Sequence, residues 1–213
     1  MMERKIRVLL VDDHSVVRNG VRLMLGTASD IVVTGEAESA AEAIRLVREQ
    51  DFDVAMLDIS MPGKNGLELL KLMHAEKPKL AILMLSMYSE ELYAVRAIKH
   101  GAAGYLTKAS PASTLITAVR KAAAGGKHVS RALAEQLANI LVGAGQPAHE
   151  ALSDRELEVL KLIASGETLV EIGKKLNLSP STVTTYRARI LEKTKLKSNA
   201  KLALYALENG LLS

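Results

Sequence analysis

The first hundred or so residues alternate short β-rich apolar runs with longer stretches of helical periodicity, the signature of βαβ units around a parallel sheet. Five strands are expected, over about Ile6 to Val11, Ile31 to Glu36, Asp53 to Asp58, Leu80 to Ser86 and Ala103 to Thr107. The first and fourth are apolar almost throughout, as strands covered on both faces are. Helix starts punctuate the intervals. Ser39 with Glu42 three residues on matches a capping box, and Ser110 before Pro111 places a cap residue ahead of a proline at the first helical position.

At roughly 150 residues per domain, 213 residues hold one large domain or two modest ones. Helical periodicity stops at Ala122-Ala123-Ala124-Gly125-Gly126-Lys127, so the first domain is expected over 4–125. Leu133, Leu137, Ile140 and Leu141 have helical spacing within Ser130 to Val142. Gly143-Ala144-Gly145-Gln146-Pro147 then has linker composition, so 126–147 is expected to be a linker carrying one helix. From Leu152 the pattern is purely helical, which makes 148–213 a small all-α domain. Ser153 with Glu156 and Thr168 with Glu171 are further capping boxes, and Ser179-Pro180 repeats the cap-then-proline signal. A helix from Thr168 to about Leu176, the turn Asn177-Leu178-Ser179 and a helix from Pro180 have helix-turn-helix spacing.

Composition removes several chemistries. The chain has no cysteine, which excludes disulfides, thiolate metal sites and cysteine nucleophiles. Its aromatic residues are Phe52 and five tyrosines, an argument against base-stacking platforms. The apolar run Val8 to Val11 is too short for a signal peptide, and no window nears the ~18 apolar residues of a membrane span, so a cytoplasmic protein without a membrane partner is expected. The net charge is only +4, but Lys174 to Lys201 carries eight basic residues against the single acid Glu192, which marks a polyanion-binding segment.

In a doubly wound parallel sheet, ligands bind outside the carboxyl ends of the strands. Here those ends carry Asp12-Asp13, Asp58, Ser86 and Thr107-Lys108. Three carboxylates brought together raise one another's pKa unless a cation joins them, and oxygen ligands favour a hard cation such as Mg²⁺. Mg²⁺ commonly completes its octahedron with phosphate oxygens, and Lys108 and Ser86 suit the same anion. Asp58, the lone acid at the carboxyl end of its strand, is the best phosphoryl acceptor. Any one of these residues is usually a cap, a turn former or a solvated charge; their coincidence at four strand ends favours the site. A Mg²⁺-dependent phosphatase working through an aspartyl-phosphate is the rival, but it needs a second acid two residues on, where this chain has Ser60. No Gly-rich Walker loop supports an NTPase. Tyr105 reads on its own as a half-buried strand former, and His14, His74, His100, His128 and His149 lack ligand spacing and read as structural or solvated.

On the helix from Pro180, Val183, Ile190 and Leu191 can face inward, leaving Thr184, Thr185, Arg187, Ala188 and Arg189 outward. Small and hydroxylated residues admit a helix to the major groove, while basic ones hold phosphates; Ser181 and Lys193 complete the expected DNA-contacting set. Ala200, Leu204 and Leu207 on the last helix suit either a dimer seam or the domain's own core.

The first ~125 residues resemble the receiver domain of two-component response regulators. The resemblance is carried by Val11-Asp12-Asp13-His14, by Leu57-Asp58-Ile59-Ser60-Met61-Pro62-Gly63, by Ser86 and by Gly104-Tyr105-Leu106-Thr107-Lys108. Residues 148–213 resemble the four-helix DNA-binding domain of NarL/FixJ (LuxR-type) regulators through Leu152 to Leu160, Gly166, Glu171-Ile172-Gly173, Leu178 to Val183 and Leu207 to Leu211. The resemblance implies strand order 2-1-3-4-5, which is that of the receiver family. It implies that Asp58 accepts phosphate from a sensor histidine kinase, and that Asp13, Asp58 and the Ser60 carbonyl bind Mg²⁺ directly, with Asp12 acting through water. It also implies that Ser86 and Tyr105 move inward on phosphorylation, and that the last helix forms a homodimer on inverted half-sites of double-stranded DNA. The expected protein is therefore a transcription factor, not an enzyme, gated by Asp58. A regulator that binds DNA regardless of phosphorylation stays open. Two departures stand out. Lys108 is followed by Ala109, where receivers commonly have proline, so a cis bond there would be a costly non-proline one; and Thr184 and Tyr186 stand where many members have a basic residue and a histidine.

Overall fold

A computed structural model describes residues 4–61, 66–87, 90–141 and 147–212. Met1, Met2 and Glu3, Pro62 and Gly63 of the loop motif, the 142–146 part of the expected linker and Ser213 lie outside the described residues. The chain divides into two compact units, residues 1–137 and 138–213.

The apolar runs of the first unit form β1 (Ile6–Val11), β2 (Ile31–Ala37), β3 (Val54–Asp58), β4 (Ala81–Ser86) and β5 (Gly104–Thr107). They alternate with α1 (Ser15–Leu25), α2 (Ala40–Glu49), α3 (Gly66–Glu76), α4 (Glu90–Lys99) and α5 (Ala112–Ala123). One parallel sheet results, in the order β2-β1-β3-β4-β5. Val8, Leu10, Val54, Met56, Leu83 and Leu85 pack on one face against Val21 and Leu25 of α1 and Leu115 and Val119 of α5. Alternate residues of the same strands, including Leu9, Leu57 and Met84, are equally buried, as are Leu67, Leu70 and Met73 of α3. Both faces are covered, which is why the strands are apolar throughout.

The caps follow the sequence with two corrections. Ser39 Oγ accepts from Glu42 N–H at 3.3 Å, but Glu42 answers to Glu38 N–H, so that box is half closed. Ser110 does not cap α5. Pro111 is the flanking residue, and its carbonyl takes the first helical bonds from Thr114 and Leu115 N–H. Ser110 is held back in the preceding turn, its N–H on Thr107 O at 2.9 Å and its hydroxyl 3.2 Å from Thr107 Oγ1.

Gly125, at φ +80°, turns the chain back onto the sheet. His128 N–H donates to Ala103 O at 2.7 Å and Lys127 Nζ to Ala102 O at 2.7 Å. His128 thereby bridges Gly104, where a Cβ would stand 2.5 Å from His128 O. The glycine pair is thus a turn within the first unit, and the division between units falls in the following helix, α6 (Arg131–Leu141).

Beyond α6 the second unit holds a 3₁₀ turn (Ala148–Ala151), α7 (Asp154–Ala164), α8 (Leu169–Leu176), α9 (Pro180–Thr194) and α10 (Asn199–Glu208). Ser153 with Glu156 and Thr168 with Glu171 form reciprocal capping boxes, and Ser179 caps α9 with Pro180 as its first residue. α8 ends on Asn177 in the left-handed region, and Leu178 N–H closes onto Gly173 O at 2.8 Å. Leu157, Leu160, Ile172, Val183, Ile190, Leu202 and Ala206 are buried as its core. His149 is structural, as expected: its N–H donates to Tyr205 Oη at 3.1 Å and its Nδ1 lies 2.9 Å from the same oxygen. Among the described residues no helix is long and apolar enough to cross a membrane.

Candidate functional site

Because β1, β3, β4 and β5 are successive parallel neighbours, their carboxyl ends deliver Asp12, Asp13, Asp58, Ser86 and Lys108 to one edge of the sheet. Asp12 and Asp58 are buried and Asp13 is half-buried. Lys108 Nζ lies 2.7 Å from Asp12 Oδ2 and 3.0 Å from Asp58 Oδ2, and its own N–H donates to Ser86 O at 2.8 Å. Burial pushes the Asp58 carboxyl above the usual carboxylate range, reinforced by Asp12, while the Lys108 ammonium and the Ser60 amide pull the other way without cancelling it. Burial works against the Lys108 charge too, but Asp12 and Asp58 outweigh it and hold its pKa above the ordinary lysine value.

The oxygens on the other side are under-used. Asp58 Oδ1 is buried and accepts no hydrogen bond, a costly state unless a cation satisfies it, and Asp13 Oδ1 has the His14 ring nitrogen as its neighbour. One ligand atom each from Asp12, Asp13, His14 and Asp58 lie within 4.8 Å of one another. The donor set fits a hard divalent cation such as Mg²⁺. Ser60 sits at the exposed mouth with its amide toward Asp58.

Ser86 and Tyr105 are fully buried. Tyr105 is therefore not half-buried as a plain strand former would be; its ring is inside, on the strand paired with Met84 and Ser86. The Lys108-Ala109 bond is not cis, since the described residues contain no cis peptide bond.

Three contributors escaped the sequence reading. His14, which lacks ligand spacing to the other histidines, has Nδ1 2.9 Å from Asp13 Oδ1 and 3.3 Å from Asp12 Oδ1; its place beside the acidic pair is the one signal in the sequence. Arg18 is buried, donating to Asp12 O at 2.6 Å and pairing with Glu36 and Glu38. Gly66 opens α3 with its N–H on Ile59 O at 2.9 Å, where a Cβ would stand 2.1 Å from Asp58 O. Nothing in the local sequence signals that close approach.

In the second unit, α9 buries Val183 and Ile190, with Leu191 half-buried. Ser181, Thr184, Thr185, Ala188 and Arg189 are exposed, and Ser181, Thr182, Thr185, Tyr186 and Arg189 line a shallow depression. The other two expected contacts are turned to the domain itself. Arg187 Nε donates to Asn199 Oδ1 at 2.6 Å, and Lys193 Nζ to Glu156 Oε2 at 2.6 Å. On α10, Ala200, Leu204 and Leu207 are exposed while Leu202 and Ala206 fill the core, so the three do not pack into their own domain.

Comparison with known proteins matches residues 8–120 to the response regulator receiver domain and residues 150–206 to the luxR family of bacterial regulatory proteins. The response regulator GacA of Pseudomonas aeruginosa is 35% identical over 212 residues, covering 97% of this chain and 98% of GacA. The response regulator UvrY of Escherichia coli is 35% identical over 208 residues, covering 97% and 95%. Among solved structures, RcsB of Salmonella enterica serovar Typhimurium, bound to a promoter in the presence of the phosphomimetic BeF3−, superposes with TM-score 0.68 at 27% identity over 95% of this chain and 98% of that one.

Proposed function

The chain belongs to the NarL/FixJ response regulators, which join a receiver domain to a LuxR-type DNA-binding domain, and from that premise we propose that its DNA binding is governed by a phosphoryl group carried on Asp58. The observation that carries this reading is the buried Asp58 carboxylate, with Lys108 on one oxygen and no hydrogen bond on the other.

In this reading a sensor histidine kinase presents a phosphohistidine at the mouth. An Asp58 oxygen attacks phosphorus in line, the P–N bond breaks, and the departing imidazole keeps the electron pair and takes a proton. Mg²⁺ held by Asp13, Asp58 and the Ser60 carbonyl, with Asp12 through water, would offset the charge of the phosphoryl oxygens. Lys108 passes from the Asp58 carboxylate to a phosphoryl oxygen, and the Ser86 hydroxyl moves to donate to another. Tyr105, on the strand neighbouring Ser86, is then fixed inward, and α4 and α5 repack between two states. The receiver thus assists only its own phosphorylation and its later hydrolysis. The missing acid at Ser60 argues against a phosphatase acting on other substrates.

The output is a homodimer on double-stranded DNA in the cytoplasm. Ser181, Thr184, Thr185, Ala188 and Arg189 would meet the major groove, while the exposed Ala200, Leu204 and Leu207 stripe supplies a twofold seam and hence inverted half-sites.

Genomic-fragment capture with Mg²⁺ tests the reading, using wild-type protein treated with a small phosphodonor, untreated protein and Asp58→Asn. Fragments enriched only by the treated wild type are expected. Equal enrichment in all three would keep the DNA binding and overturn the gating.

A further inference from the structure

We propose that His14 is a nitrogen ligand to the divalent cation of the Asp58 pocket, and that it tilts this site toward first-row transition metals such as Mn²⁺ over Mg²⁺. The inference rests on the cation reading of that pocket and goes beyond it by naming a ligand and a selectivity.

Its geometry is that of a coordination edge. Neighbouring ligands of an octahedral ion with bonds of ~2.1 Å stand about 3.0 Å apart. His14 Nδ1 is 2.9 Å from Asp13 Oδ1 and 3.3 Å from Asp12 Oδ1. The backbone fixes that approach, because His14 N–H donates to Asp12 Oδ1 at 2.8 Å and folds the residue over the acidic pair. Lys108 takes the Oδ2 atoms of Asp12 and Asp58. Asp58 Oδ1, on a residue only 2% exposed, is left without a hydrogen bond, and its carboxylate belongs to the same group of ligand atoms as His14. A cation there would meet the carboxylates of Asp13 and Asp58 and one imidazole, with Asp12 behind a water, and the ring, 64% exposed, still reaches solvent.

The selectivity follows from ligand chemistry. Mg²⁺ prefers oxygen and dehydrates reluctantly, so a water can stand in for the ring. Mn²⁺ and the later divalent ions accept imidazole increasingly well. Removing the ring should therefore weaken Mn²⁺ and leave Mg²⁺ nearly unchanged.

The test uses the full chain as wild type, His14→Ala and Asp58→Asn, with Mn²⁺ binding followed by electron paramagnetic resonance and competed with Mg²⁺. Wild type should bind Mn²⁺ with a ¹⁴N spin-echo modulation that His14→Ala lacks. The ratio of Mn²⁺ to Mg²⁺ affinity should fall about tenfold in His14→Ala, the low end of what losing one group does at a metal site. Retained Mg²⁺ affinity in that variant reports that its pocket is intact. A wild-type Mn²⁺ complex without ¹⁴N modulation, or a ratio unchanged in His14→Ala, overturns the role of His14 alone. Failure of either ion to bind wild type, or binding undiminished in Asp58→Asn, overturns the cation reading of the pocket itself and this proposal with it.

Discussion

Lys193 Nζ meets Glu156 Oε2 at 2.6 Å, and through it α9 is pinned to the first turn of α7. Glu156 is buried, and the same carboxylate oxygen accepts Ser153 N–H at 2.7 Å to close the capping box. Burial opposes the Glu156 charge, but Lys193 and Ser153 together hold its pKa below the ordinary glutamate value. That contribution is present at neutral pH and is lost as pH falls through and below the ordinary range. Lys193→Met should therefore destabilise the second unit by about 1–3 kcal/mol, discounted for the partial exposure of the lysine. A lysine held this way gives little to a phosphate, so the salt dependence of DNA binding should keep its slope, whereas loss of a true phosphate contact lowers it by about one unit. Denaturant unfolding and a salt series on the variant check both; a flattened slope with unchanged stability would show the ion pair to be incidental.

Lys108 is the cation that lets Asp12 and Asp58 share a buried space. Lys108→Met leaves two carboxylates facing each other, and should lower the stability of the first unit by ~3 kcal/mol in the absence of divalent ions. Millimolar Mg²⁺ should return part of that loss, because an ion that binds only the folded state stabilises it by mass action. Thermal unfolding with and without Mg²⁺ reads this directly. A larger Mg²⁺-induced rise in Tm for the variant than for wild type is expected, and an equal rise would mean that Lys108 and the cation relieve different charges.

The strands and the loaded sheet edge were readable because each depends on neighbours in sequence. An apolar run stops at a charged residue, and the parallel register then brings those stops together. Ser153, Thr168 and Ser179 cap their helices where local patterns placed them. Ser110 misled because a proline serves equally well as the flanking residue or the first helical one, and the hydrogen bonds to Thr107 decided between them. What stayed hidden is non-local. Arg18 is buried because Glu36 and Glu38, some twenty positions on, come round to meet it. The ion pair of Lys193 was not legible because its partner Glu156 lies 37 positions away. Gly125-Gly126 looked like a boundary because only the folded sheet offers Ala103 O to His128.

Gly66 sets how closely α3 can approach the strand that ends in Asp58. A methyl group there would fall 2.1 Å from Asp58 O and 2.8 Å from Ile59 Cα, both backbone atoms that cannot rotate away. Gly66→Ala should cost about 3 kcal/mol or more and displace Asp58. Gly125→Ala is the matching control, since a Cβ at Gly125 meets nothing and pays only for its φ of +80°, roughly 1 kcal/mol. Calorimetry together with phosphodonor labelling of Asp58 separates the two: Gly66→Ala should lose both stability and labelling, Gly125→Ala only a little stability. Normal labelling in Gly66→Ala would show that the loop can shift without disturbing its aspartate.

Lys161 gives the second unit a pH response of its own. It lies on α7 with only 8% exposure, and burial lowers its pKa from the ordinary 10.5 to about 8 despite the opposing field of Glu158. In the unfolded chain the same lysine keeps its proton until near 10.5, so between these values the unfolded state binds more protons than the folded one. Stability contributed by this group therefore rises with pH from about 8 to 10.5 and is level below that window, where both states are protonated and the folded state carries the buried charge. At about 1.4 kcal/mol per pKa unit the rise is at most ~3 kcal/mol. Lys161→Met should remove it. Other lysines and the tyrosines titrate in the same window, so the quantity to measure is the difference between wild type and Lys161→Met in the calorimetric stability of the second unit at pH 7, 8.5 and 10. A difference that narrows in the variant's disfavour as pH rises is expected; a constant difference would mean that Lys161 keeps its proton in the folded protein throughout.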